Sequence, residues 1–174
     1  MERSVLPIQR DVVARVVPSG HEVTVPRGTF VTLTQAMGGS YTIVFGGNMA
    51  RIEGSDADAL GLEPETLTFD APSDGAVSKS QVWKALKTIH DPEIPVNVVD
   101  LGLIYDVAID DVSVSVTMTL TAPGCGMGPV LVRDVEERVG QVPHVELVEV
   151  DLVFEPPWTR DRMIDEAQLE LGLL

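Results

Sequence analysis

From Val112 to Thr121 the chain alternates without interruption. Val112, Val114, Val116, Met118 and Leu120 fall on one side, and serine or threonine falls on the other. That period of two predicts a strand with one buried face. The apolar run Leu103–Ile109 precedes it across Asp110-Asp111, so the two runs predict a hairpin. Upstream, Ser78-Lys79-Ser80-Gln81 has capping-box spacing. Val82, Ala85, Leu86 and Ile89 then share one helical face, and Asp91-Pro92 is expected to stop that helix. Downstream, Met127, Leu131, Val135 and Val139 recur every four residues, with Pro129 at the start and Gly140 as the stop. Val145–Phe154 predicts a third strand, reached from the second through a helix and therefore parallel to it. Pro156-Pro157 breaks that strand. Thr159 is expected to cap a last helix carrying Met163, Ala167 and Leu171.

The first part of the chain has a different rhythm. Val12–Val17, His21–Val25, Thr29–Thr34, Tyr41–Phe45 and Met49–Glu53 read as short strands between Gly- and Pro-rich turns. They predict a small barrel or sandwich-like module. Asp56–Gly61 reads as a helical turn or a loop. Asp70-Ala71-Pro72-Ser73-Asp74-Gly75-Ala76 is small and polar and reads as a linker. The expected organisation is a β-rich domain over 1–70, a linker over 71–77 and an α/β domain over 78–174. The fold class is α+β: a small all-β module, then an α-β-β-α-β-α two-layer domain with a three-stranded mixed sheet.

Charge narrows the choice of function. The 174 residues carry 27 acids against 12 bases, a formal charge of −15. Such a field repels phosphate backbones and anionic membranes, so neither nucleic acid nor a membrane is expected as a partner. No apolar run reaches the length of a membrane span, and the first residues lack the apolar core of a signal peptide. The single cysteine excludes an intramolecular disulfide and a self-contained four-thiolate site. A free thiol without an export signal fits a reducing cytoplasm.

That cysteine, Cys125, lies in Thr121-Ala122-Pro123-Gly124-Cys125-Gly126-Met127-Gly128-Pro129, between a predicted strand end and a predicted helix start. A helix N-terminus favours an anion, so the thiol is expected to ionise more readily than a free one. The alternative is a small buried hydrophobe, the usual fate of a free cysteine. Asp91-Pro92-Glu93-Ile94-Pro95, with Asp100 beyond it, places carboxylates close together. On spacing alone this reads as helix termination and a solvated loop. His21, His90 and His144 show no metal-ligand spacing. His90 and His144 are the histidines of the second half that a nucleophilic enzyme would need beside Cys125.

The run Asp91–Asp106, the loop Leu120–Cys125 and Glu155-Pro156-Pro157-Trp158 together resemble the signature of a widespread iron–sulfur assembly family. That family includes the SufT proteins, the eukaryotic subunit of the cytosolic cluster-targeting complex and the PaaD-type accessory proteins. The first half, through Val25–Thr29, Gln35–Thr42 and Asp56–Gly61, looks like the extra region of SufT-type members, which shorter members lack. The resemblance implies that Cys125 is the reactive cysteine and binds metal or cluster. It also implies that Asp91, Glu93 and Asp100 match acidic positions, and that Thr121 matches the threonine before the cysteine. The implied activity is accessory and not enzymatic: an iron–sulfur cluster carried transiently, shared across a homodimer or with a partner. Assembly machinery and client apoproteins are the expected partners. A docking adaptor that never touches iron is the alternative, and a cysteine-dependent thiol transferase a more distant one.

Overall fold

The computed structural model describes residues 3–37, 39–64, 67–91, 94, 96–124 and 126–173. The chain forms two compact units, Met1–Leu67 and Thr68–Leu174.

The first unit is one antiparallel sheet of six strands. They are β1 (Ser4–Pro7), β2 (Val12–Val16), β3 (Glu22–Val25), β4 (Phe30–Met37), β5 (Ser40–Phe45) and β6 (Asn48–Glu53), in the order β1-β4-β5-β6-β2-β3. Alternation decides the buried face: Val12, Ala14, Val25, Val31, Ile43, Ala50 and Ile52 join one core cluster. A 3-10 segment, Gly54–Leu60, adds to that core from outside the strands through Ala57, Ala59 and Leu60, and Ile8 joins it from the turn between β1 and β2. The sheet therefore buries its apolar face largely against itself. β1 was not legible in the sequence. It is four residues long and mostly exposed, an edge strand recruited by pairing with β4.

Arg10 fastens the 3-10 segment to the sheet. Its guanidinium donates to Asp56 and Asp58 at 2.7 Å each. The hydrogen bond from Arg10 holds the Asp58 carboxyl below the usual carboxylate range.

The second unit runs α1 (Lys79–Leu86), β7 (Ile104–Asp110), β8 (Ser113–Met118), α2 (Gly128–Gly140), β9 (Leu147–Leu152) and α3 (Asp165–Glu170). β7 pairs antiparallel with β8, and β9 pairs parallel with β8, giving the expected mixed sheet. Val114, Val116 and Met118 are buried together with Leu131, Val135 and Val139 of α2. Both periodicities read from the sequence thus mark buried faces.

Three local expectations need correction. Ser78 accepts from the backbone N–H of Gln81, as a capping box requires, but the Gln81 side chain donates to the carbonyl of Asp70 instead of turning back to Ser78. The expected linker residues Asp70 and Pro72 thus meet the second unit, the latter through a 3.4 Å contact with the His144 ring. Helix α1 ends at Leu86, earlier than Asp91-Pro92 implied, because Thr88 turns its hydroxyl onto the carbonyl of Ala85 at 2.6 Å. The last helix is broken in two. A 3-10 turn spans Arg160–Arg162, Thr159 makes no side-chain cap, and Met163 and Ile164 are extended before α3 begins. The Ile164 N–H bonds the Asp100 carbonyl at 3.0 Å, a tertiary partner in place of a helical one.

Two tests follow from this packing. Gly102 has φ +74°, and a Cβ there would meet the Arg162 carbonyl oxygen, with the Arg162 carbonyl carbon at 2.7 Å. Gly102→Ala should therefore lower stability by at least about 2 kcal/mol, combining left-handed strain with the clash, and denaturant unfolding of the full chain measures it. A carboxyl whose folded pKa is depressed stabilises the fold above its unfolded pKa, and that contribution is lost as pH falls through the folded value. Removing the partner in Arg10→Gln should thus move the acid-unfolding midpoint of the β unit to higher pH, read by circular dichroism.

Candidate functional site

One end of the three-stranded sheet gathers the segments that the sequence marked. β7 begins there, β8 and β9 finish there, and α2 starts beyond it, with Ile104, Met118 and Leu152 in register. The ladder continues past the strands as a relay of backbone hydrogen bonds. Thr119 N–H donates to Leu103 at 2.8 Å, Leu103 to Val98 at 3.0 Å, Val98 to Ile89 at 2.9 Å and Asp91 to Val96 at 3.3 Å. The acidic loop is thereby laid beside the chain leaving β8. Sequence spacing could not show this, because Asp91 and Thr119 are far apart along the chain.

The carboxylates of that loop serve the loop first. Asp91 is buried at 6% exposure and accepts from the Ile94 N–H at 3.2 Å. Asn97 accepts from the N–H groups of Val99 and Asp100 and donates to the Asp100 carboxylate at 2.7 Å. Asp91 and Asp100 therefore lie in one loop, each engaged in its turns. Thr121 is half-buried. Cys125 and Glu93 lie outside the described residues.

The flanks of the cysteine position are described. Gly124 has φ +77°, a left-handed conformation that glycine adopts without strain. Met127 is buried, and α2 opens with Pro129 in its first turn, with no side-chain cap and no acid there. A helix start of this kind presents uncompensated N–H groups, the arrangement that favours an anion.

The sequence missed Thr119. Its side chain is 1% exposed, and its hydroxyl has no hydrogen-bond partner among the described residues, an unusual state for a buried polar atom. The signal was present: Thr119 lies on the hydroxyl side of the alternating strand and immediately before the loop.

The chain after β9 clasps this region. Trp158 donates its indole N–H to the Leu101 carbonyl at 2.7 Å, which ties the Glu155–Trp158 run to the Asp91–Asp106 run. The Tyr105 hydroxyl donates to the Pro156 carbonyl, also at 2.7 Å. Tyr105 belongs to β7 and Pro156 follows β9, so this bond links the two outer strands at the sheet's end. The histidines take other places. His144 follows the C-terminal end of α2, a helix of 13 residues and about 20 Å. The His90 ring lies 3.2 Å from the carbonyl of Thr88.

Comparison with known proteins agrees with this arrangement. Residues 79–152 match the family model described as iron–sulfur cluster assembly protein. A relative from Porphyromonas gingivalis, named Fe-S protein maturation auxiliary factor, is 50% identical over 98 residues, covering 56% of this chain and 93% of the relative. The Staphylococcus aureus protein named Fe-S protein maturation auxiliary factor SufT is 43% identical, over 49% of this chain and 98% of its own. Both relatives are thus nearly spanned by about half of this chain, and the remainder extends beyond them. A solved structure of a domain of unknown function from Bacillus anthracis is 38% identical with a TM-score of 0.53, covering 55% of this chain and 92% of that one. The chain belongs to the iron–sulfur cluster assembly protein family.

Proposed function

We propose that this protein serves the maturation of iron–sulfur proteins as a transient holder of a cluster, which is its cargo, with Cys125 as the thiolate each chain contributes. The observation that carries the reading is the backbone relay from Thr119 through Leu103 and Val98 to Ile89. It brings the acidic loop to the strand end from which the cysteine loop departs toward α2. Family membership and the maturation role in the relatives' names support it.

The chemistry follows from donor count. A cluster ordinarily takes four thiolate ligands, and this chain has one cysteine. The rest come from a second copy in a homodimer, from a partner or client apoprotein, or from small thiols. Incomplete ligation suits release, because a fully satisfied site would keep its cargo. A helix start as free of side-chain caps and acids as that of α2 is a setting that favours an anion such as a thiolate. Handling of cargo, and not turnover, is the role that this donor set supports. A lone reduced thiol implies a reducing compartment, the cytoplasm. Among the described residues no helix is long and apolar enough to cross a membrane.

Anaerobic reconstitution with ferric iron, sulfide and a small thiol as ligand and reductant tests the proposal. Wild-type protein should develop a visible cluster chromophore, with native mass corresponding to one cluster per two chains, and Cys125→Ser should stay colourless. Colourless wild-type protein would sink the carrier role and leave a docking adaptor. The position of His144 beyond the far end of α2 gives a second expectation: His144→Gln should form chromophore at the wild-type level and leave the thiol's alkylation rate unchanged. A marked fall in alkylation rate in that variant would favour a histidine-assisted thiol enzyme.

A further inference from the structure

A cavity of about 460 Å³ opens beside the clasp, lined by Gly102, Ile104, Tyr105, Pro156 and Arg162. Its volume lies in the range of small-ligand sites. Its walls are fixed by contacts already described. Gly102 lies against the Arg162 backbone, and the Tyr105 hydroxyl is held by the Pro156 carbonyl. The Arg162 guanidinium stacks 4.6 Å from the centre of the Tyr105 ring.

An arginine seated on an aromatic ring distinguishes this groove. Some guanidinium groups of this acidic chain have carboxylate neighbours, while Arg27, Arg133, Arg160 and Arg162 pair with none among the described residues. Arg10 has two, and Arg15 lies within 4 Å of Glu22 and Glu53. Arg162 forms no ion pair with any described residue; it is held only by the aromatic face beneath it. Stacking orients the planar fork while leaving its N–H donors unused, the state in which arginine receives a carboxylate in bidentate fashion. Ile104, Pro156 and the ring edge of Tyr105 give the remaining wall an apolar character.

We propose that this groove binds a carboxylate borne on an apolar body, with Arg162 as the anion receptor and Tyr105 as its support. A free small acid and the terminus of a polypeptide share that chemistry. The site is independent of the cluster role, since its residues and its test involve neither the thiol nor iron.

The test uses the full chain without metal, titrated with N-acetyl-leucine and separately with N-acetyl-leucinamide while backbone amide resonances are followed. The acid should shift the amides of Gly102 and Ile104 saturably, and the amide analogue should not. Arg162→Gln should weaken binding by about tenfold or more, as loss of a charge-assisted contact requires. Because Arg162 is exposed, the variant should keep the wild-type spectrum elsewhere. A short peptide with a free terminal carboxylate identifies the source: tighter binding than N-acetyl-leucine assigns a polypeptide end, and equal binding assigns a small acid. Equal shifts from the acid and the amide, or acid binding that survives Arg162→Gln, would overturn the proposal.

Discussion

The site end of the second unit depends on how closely two backbones approach at Gly102. Its left-handed φ turns the chain after Asp100-Leu101 back into β7, and the missing side chain lets the Arg162 carbonyl lie against it. That proximity allows Trp158 to reach the Leu101 carbonyl and Ile164 to reach that of Asp100. Three otherwise orphaned groups at a loop and a broken helix are satisfied at once, and buried backbone polar atoms rarely go without partners. The break in the last helix belongs to the same bargain: Met163 and Ile164 leave helical geometry so that Ile164 can bond across to the loop.

From this contact the rest of the site follows in steps. The held loop presents Val98 and Leu103 to each other, and Leu103 receives the N–H of Thr119. The strand end thereby acquires a flank of ordered backbone before the chain enters the cysteine loop. Asp91 and Asp100, which resemblance marked as family positions, bond within the loop they belong to. The Thr119 hydroxyl, at the strand end, is left without a partner among the described residues.

Much of the architecture was legible because it rests on local periodicity. The alternation through Val114, Val116 and Met118 and the four-residue repeat through Leu131, Val135 and Val139 each specify a face, and both faces are buried as expected. The motif runs stood out for a similar reason, since each is contiguous. What escaped were elements defined by partners distant in the chain. β1 has too few residues to declare itself and exists through β4. Helix α1 stopped early through a threonine hydroxyl, and Gln81 found the Asp70 carbonyl instead of its own cap.

By itself the sequence determined the two-part organisation into β-rich and α/β halves, the faces of the long elements, the single thiol and the acidic surface. These follow from composition and from patterns spanning a few residues, where side-chain direction is set by backbone geometry alone. Tertiary structure alone decided the relay that joins Ile89 to Thr119, the clasp by Trp158 and Tyr105, and the seating of the Arg162 guanidinium over the Tyr105 ring. Each of these depends on which chain segments come within hydrogen-bond or stacking distance. That is a property of the folded path, and no short-range pattern encodes it.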